Sequence, residues 1–529
     1  MKTIKNRITA AALAALLLAF LTSCAPADRL RSYFTDSGSE APATAAPEAA
    51  GDVSNTIAIG MYGFDTFNPL MTNSQTVKEA MEFVYEPLFT LNELVQPEPV
   101  LASDYGMSAD GRTIVINLRN DAQWHDGTGF NAYDAAYTIR MIKEGKTAYT
   151  NDLKSVSDWS VTGDYQITVS FDHPVPNAAS LFTFPVVQYG TVMDGSSGYT
   201  PIGTGPFAYS GKISTDRYML NAFDYYYGGK AKIDGVYIDT CPDAEHYIYM
   251  YSAGAFDAAT SATVDLKSYT PKGGVYLNEF TGSRMTFLGI NCQKPELSGV
   301  NTRKAIADMT DKDDIISSVM FSRADRADVP VNPKFWLGSG AVADDGVSAD
   351  AHLRIDGWTN PDGSGYVRDY AGQRQTLTLE LLTDGDNADK KAIADKIAER
   401  MKVYGINVTV TALPYAQYTA RVDARQYDLF IGEIELSPAQ DISEILGAGN
   451  LFNYSGDAIN ALASQIGMTS DTETLKTLYA EFASVFGEEM PFVPLFYAKE
   501  YMMSSPRIGD LRCPGISGFY RLPGGWRIQ

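Results

Sequence analysis

The stretch from Asp110 to Gly145 limits what this chain can fold into more than any other, because it spells three consecutive elements with their boundaries marked. Asp110-Gly111 is a turn pair, and Thr113 to Leu118 then alternates apolar and polar residues, which predicts a half-buried strand. Trp124-His125-Asp126-Gly127 makes a second turn. Asn131 followed by Asp134 reads as an N-cap with an acidic residue in the first helical turn. Ala135, Ile139 and Ile142 then give the helix one apolar face, and Gly145 supplies its stop. Such a unit belongs in an α/β domain, and by itself it names no activity.

A second α/β signal lies near the other end. Thr376 to Leu382 reads as a strand, Asn387 caps a helix bearing Ile393, Ile397 and Met401, Gly405 ends it, and Ile406 to Ala412 is the next strand. A parallel, right-handed crossover is expected. Tyr415 to Ala424 is a further helix and Tyr427 to Ile431 a further strand. Ligands in such sheets sit beyond the carboxyl ends of the strands, which points to Gly432, Glu433, Ile434 and Glu435. Between the two signals, Met285 to Asn291 is an apolar strand. Asn301 caps one helix and Asp313 opens another, while Pro330 to Gln375 is mostly loop. Met490 to Tyr497 is a buried strand behind two prolines.

Residues 1–24 carry Lys2, Lys5 and Arg7 ahead of an apolar run of about a dozen residues, too short for the ~20 a spanning helix needs; this is a secretory signal. Residues 25–55, rich in Ala, Pro, Ser, Thr and Glu, cannot bury a core and read as a flexible tether. The remaining stretch of about 475 residues is too long for one core and implies two or three lobes. A net charge of −22 with no basic stripe argues against nucleic acid. With four histidines, no Gly-x-Ser-x-Gly, no His-Glu-x-x-His and no spaced Cys/His cluster, the chain presents no enzyme constellation, metal site or cofactor motif. Setting Cys24 aside leaves Cys241, Cys292 and Cys513, so one disulfide at most can form within the chain.

The order Asp-Gly, strand, Leu-Arg, Trp-His-Asp-Gly, Ala-x-Asp-x-x-Tyr resembles the signature of extracytoplasmic solute-binding proteins of the peptide/nickel class, family 5, which feed ABC importers. Val84-Tyr85-Glu86-Pro87-Leu88, Pro201-Ile202-Gly203-Thr204-Gly205-Pro206-Phe207 and Asn301-Thr302-Arg303-Lys304-Ala305-Ile306 recur in the expected order. The resemblance implies a type II periplasmic binding protein-like α/β fold with a hinge cleft and an extra subdomain. Lobe I would comprise 56–90, 200–285 and 496–529, the extra subdomain 91–199, and lobe II 286–495. It also implies that small residues before Cys24 form a lipobox, making Cys24 the lipidated residue of a monomeric protein anchored at the outer face of the cell membrane. Its partners would be a permease and ATPase subunits, and its ligand a di- or oligopeptide, with a metal chelate or other small solute, or a sensor role, as alternatives.

By the same resemblance Thr72, Asn73 and Ser74 lie at the cleft, and Phe496 and Tyr497 face it near the hinge; Trp336, in the loop stretch Pro330 to Gln375, is a candidate either to line the ligand pocket or to anchor its loop. Many peptide binders of this kind carry a Trp and then an Asp that pairs with the peptide's amino group shortly after the strand that ends here at Ile431. This chain has neither until Asp441. Glu433 or Glu435 is the expected replacement, since a partly buried carboxylate opposite an ammonium makes a strong charge-assisted bond.

Overall fold

Two long strands organise the protein. In the computed structural model, which describes residues 55–529 except 146, 194, 261–275, 339, 510–517, 519, 521–524 and 529, they run from Tyr276 to Ile290 and from Phe492 to Ser504. They pair antiparallel in two halves, Tyr276–Thr281 with Lys499–Ser504 and Met285–Gly289 with Phe492–Tyr497, and the register shifts between Thr281 and Met285. On one side of that break the sheet continues through Ala258–Thr260, Thr56–Tyr62, Gly235–Cys241, Arg217–Ala222 and Phe207–Ser214. On the other it continues through Leu429–Glu435, Thr378–Asp384 and Asn407–Leu413. The two crossings join a first lobe to a second.

In the second lobe both faces of the sheet are covered, and the strands show it residue by residue. Phe287, Phe430 and Phe492 enter one core with Phe482, while their neighbours Leu288, Ile431 and Val493 enter another with Ile397. That alternation follows from the twofold side-chain period of a strand. Thr378–Asp384 and Asn407–Leu413 are parallel, as their crossover demands. The Asn387 side chain accepts from the N–H groups of Asp389 and Lys390, and Gly405 at φ +84° ends the helix Ala388–Val403.

The strand expected to stop at Ile431 runs on to Glu435, because Gly432–Glu435 pair with Phe287–Arg284. Those four residues therefore lie in the strand and not beyond it, and successive side chains alternate between its faces. Asn301 is not the cap of its helix either. The helix Val300–Met309 is capped at Gly299, and the Asp356 carboxylate accepts from the Thr302 N–H at 2.6 Å and from Asn301 Nδ2 at 3.1 Å. The next helix, Lys312–Ser318, takes Asp311 as its cap. The stretch expected to be mostly loop holds a helix at Ala349–Ile355 and a hairpin, Val367–Tyr370 with Gln373–Thr376.

A separate four-stranded antiparallel sheet, ordered Ala102–Met107, Thr113–Leu118, Gln166–Phe171, Val156–Gly163, carries the helix Ala132–Glu144. Asn131 and Asp134 form a reciprocal capping box there. His125 staples the glycine loop that follows: its N–H donates to Gly203 O at 2.9 Å, its ring sits 2.9 Å from Gly205 O, and burial holds its pKa down at about 4. A Cβ on Gly203 would fall 1.8 Å from Val84 O, so this loop is glycine because it lies against backbone. The signal, the Cys24 lipid site, the tether as far as residue 54, and Cys513 lie outside the described residues. Among the described residues Cys241 and Cys292 form no disulfide. Among the described residues no helix is long and apolar enough to cross a membrane.

Candidate functional site: the inter-lobe cleft

A cavity of about 660 Å³ opens between the lobes. One wall is the helix Gln75–Met81 and its continuation, which present Gln75, Lys78, Glu82 and Tyr85 on one face, with Asp152 and Lys154 beside them. Ser283 and Arg284 at the register break, Asn332, Glu435 to Pro438 and Gln440 form much of the other. Among the described residues five carboxylates line it, Glu82, Asp152, Glu435, Glu444 and Glu500, against three cations, Lys78, Lys154 and Arg284.

Glu435 ends its strand with Oε1 accepting from Ser283 Oγ at 2.6 Å, and Arg284 is 3.7 Å away. Lys154 pairs with Glu444 at 3.3 Å. The Tyr520 N–H holds Glu82 Oε2 at 2.7 Å. Asp152 is pushed up to about 7, first by burial and then by the like charges of Glu435 and Glu444, which outweigh Lys78 and Lys154. Glu500 is also pushed up to about 7, by burial and then by Glu435. Burial lowers Lys78. Among the described residues the cleft therefore holds more carboxylates than cations, in a setting where water is already partly excluded.

Of the residues expected at the site, Asn73 and Glu435 line this cavity. Thr72 is buried with its hydroxyl on Asp65 Oδ1 at 2.6 Å, and Ser74 Oγ donates to Tyr62 O at 2.8 Å. Glu433, two residues before Glu435, does not line the cavity and faces Lys390 and Arg284, each 3.7 Å away. Ile434 packs against the second lobe's core. Trp336 does the same, its backbone N–H donating to Leu94 O at 2.7 Å and its buried indole N–H meeting no partner among the described residues. Phe496 and Tyr497 are buried in the cores on opposite faces of the second lobe's sheet and do not line the cavity.

Sequence reasoning passed over Lys78, Asp152, Arg284, Glu444 and Glu500. The one signal on offer was the spacing of Gln75, Lys78, Glu82 and Tyr85, a polar stripe at helical period on a segment whose other residues, Val77, Ala80 and Val84, are core. Chemically the arrangement suits an ammonium or other cation held by carboxylates. Among the described residues no three His, Cys, Asp or Glu side chains gather to hold a metal ion, so a metal here would bring ligands of its own.

The oligopeptide-binding protein AppA of Bacillus subtilis is 21% identical over 531 residues, covering 95% of each chain. The heme-binding protein A of Haemophilus influenzae is 23% identical over 469 residues, 80% of this chain and 83% of its own. A solved structure described as a nickel ABC transporter from Bacillus halodurans superposes with a TM-score of 0.75 at 20% identity, over 90% of this chain and 100% of its own, which shows a shared fold. The pattern of the bacterial extracellular solute-binding proteins, family 5 Middle, matches residues 96–444, more than half of the sequence. The chain belongs to the bacterial extracellular solute-binding proteins of family 5, and is a binding protein and not an enzyme.

Proposed function

We propose that this protein captures a short peptide in the inter-lobe cleft, closes about the Thr281–Met285 break, and delivers its load to an ABC permease with its ATPase subunits. In this reading it is a monomer held at the outer face of the membrane by lipid on Cys24. The observation that carries the peptide is Glu435: it projects into the cavity beside Asp152 and Glu500, so a peptide's amino group would relieve a repulsion the cleft cannot relieve alone. A cavity of about 660 Å³ lies within the ~300–1,000 Å³ of small-ligand sites and suits a peptide of a few residues. A cationic metal chelate is the second reading, supported by the same carboxylate surplus and by the nickel-type likeness.

Native mass spectrometry of the full-length protein, purified gently in mild detergent, tests this. A ladder of short-peptide masses is expected, lost in Glu435→Gln and kept in Glu433→Gln. A single metal-containing mass would overturn the peptide and leave the chelate.

A further inference from the structure

The break in pairing between the two crossings is held, residue after residue, by side chains of the second lobe. Thr281 Oγ1 donates to Asp325 Oδ2, Gly282 O accepts from Asn332 Nδ2 at 3.2 Å, and Ser283 Oγ donates to Glu435 Oε1 at 2.6 Å. A Cβ on Gly282 would stand 2.6 Å from Ala498 O, so the crossings meet there without room for a side chain. Asn332 also grips the loop that follows the strand Leu429–Glu435. Its backbone N–H donates to Gln440 Oε1 at 2.8 Å, while its Oδ1 accepts from the Lys334 N–H at 2.9 Å. Asn332 and Gln440 both line the cavity, yet they are only 1% and 5% exposed. Gln440 is set in turn by its loop: its backbone N–H and Nε2 both donate to Ser437 O, at 2.9 and 3.1 Å, and the Tyr479 hydroxyl reaches its carbonyl at 3.3 Å. They hold it at φ +54°, a left-handed backbone that a residue with a side chain keeps only when its surroundings impose it.

We infer that Asn332 is a positioning residue for closure, tying the cavity-facing loop at Ser437–Gln440 to the Gly282 peptide at the break, so that loop and hinge move as one. This rests on the reading of the break as the hinge, and it holds for a peptide and a chelate alike. The two walls of the cleft touch in this structure, at Lys154 and Glu444, 3.3 Å apart. The bonds of Asn332 therefore belong to the arrangement with the lobes in contact, and losing them favours separation. A ligand that fixes the loop fixes Gln440, then Asn332, then the Gly282 carbonyl. Its preference for the closed form thereby reaches the hinge, which is the differential affinity that a ligand-driven closure requires.

The test is amide hydrogen exchange read by mass spectrometry on the full-length protein in mild detergent, ligand-free and with trialanine. In ligand-free Asn332→Ala, exchange at residues 282–284 and at both cleft walls, 75–85 and 435–440, is expected to rise about two- to tenfold, the worth of one hydrogen bond. Exchange in the strand segment 286–290 should stay as it was. Trialanine should slow both the loop and the break in the native protein, but the loop alone in Asn332→Ala. Gln440→Gly, which cuts the same link one step earlier and suits the positive φ, should uncouple them too and carries the test if Asn332→Ala does not fold. An unchanged break in the ligand-free variant overturns the inference, as does a break that trialanine still protects. Exchange rising equally in 286–290 would make Asn332 merely structural and overturns it as well. A faster break with unchanged cleft walls overturns the hinge and the inference together. Should trialanine protect nothing in the native protein, the peptide falls, and the ligand-free comparison alone decides Asn332.

Discussion

His173 Nε2 lies 3.4 Å from Asp441 Oδ2, and through that contact the loop after the strand Gln166–Phe171 touches the loop after the strand Leu429–Glu435. Asp172 Oδ1 flanks the same ring at 2.5 Å from Nδ1. The turn before the strand Thr113–Leu118 also meets the end of the helix Asp457–Gly467: Gly111, at φ +66°, lies so close that a Cβ there would stand 2.3 Å from Gly467 O. Together with the Lys154–Glu444 ion pair at 3.3 Å, a titratable pair and a contact that admits no side chain thus join the part of the chain around the four-stranded sheet to the second lobe.

That pair makes the contact pH-dependent. The bond to Asp441, helped by Asp172, holds the His173 pKa above its usual 6.5 against the opposing effect of burial. A group whose pKa is raised in the folded state adds stability that is complete below the unfolded value and is lost as pH rises through the folded one. The native thermal midpoint should therefore exceed that of His173→Gln below about pH 6 and converge with it above about pH 8. The ring is partly exposed, so salt should shrink the difference. A constant difference across the range would assign His173 a packing role instead.

Phe287 should be among the costliest single losses in the second lobe. Its ring meets Phe430, Phe452 and Phe492 at centroid distances of 5.6, 5.6 and 5.3 Å, and it is 1% exposed. Phe287→Ala removes three edge contacts and leaves a cavity walled by rigid rings, so ~3–5 kcal/mol of stability should go. Urea unfolding followed by fluorescence would show a lower midpoint with an unchanged slope.

Gly203→Ala should be worse tolerated than its small volume suggests. The new methyl would fall 1.8 Å from Val84 O and 2.6 Å from Val84 C, both backbone atoms that cannot swing aside. His125 is fastened to the same loop and would be dragged with it. Gly127→Ala is the comparison: unlike Gly203 it sits at a positive φ, +87°, but its Cβ meets nothing within 4 Å, so it should cost only the ~1–2 kcal/mol of left-handed backbone. Differential scanning of the two variants separates collision from strain.

What the sequence disclosed and what it withheld divide along one line. The capping box at Asn131, the Asn387 cap and the Gly405 stop were legible because each is decided within a few residues. The polar segment Tyr276–Thr281 is a strand only because Lys499–Ser504, more than two hundred residues away, pairs with it. Gly432–Glu435 is a strand only because Arg284–Phe287 does the same. The site followed suit. Glu435 could be singled out because the resembled family's Trp and Asp are missing there. Lys78, Asp152 and Glu500 come from three distant parts of the chain, and nothing local sets any of them apart from a solvated surface charge.

Asp152 shows what such convergence does. Its carboxyl is held at about 7 by burial and by Glu435 and Glu444, with Lys78 and Lys154 only partly compensating. An acid whose pKa is raised on folding contributes stability below its unfolded value of 3.8 that drains away as pH climbs to the folded one. The ligand-free native protein should accordingly lose stability between about pH 4 and about pH 7, and Asp152→Asn, which keeps the shape and removes the charge, should melt a few degrees higher than native at pH 8 and no higher at pH 4. If Asp152 also helps to hold a cationic ligand, the same variant should bind that ligand more weakly while standing more firmly without it. Stability and affinity moving in opposite directions, read by thermal melts with and without trialanine, is the result expected of a repulsion that the ligand relieves; both falling together would make Asp152 an ordinary structural residue.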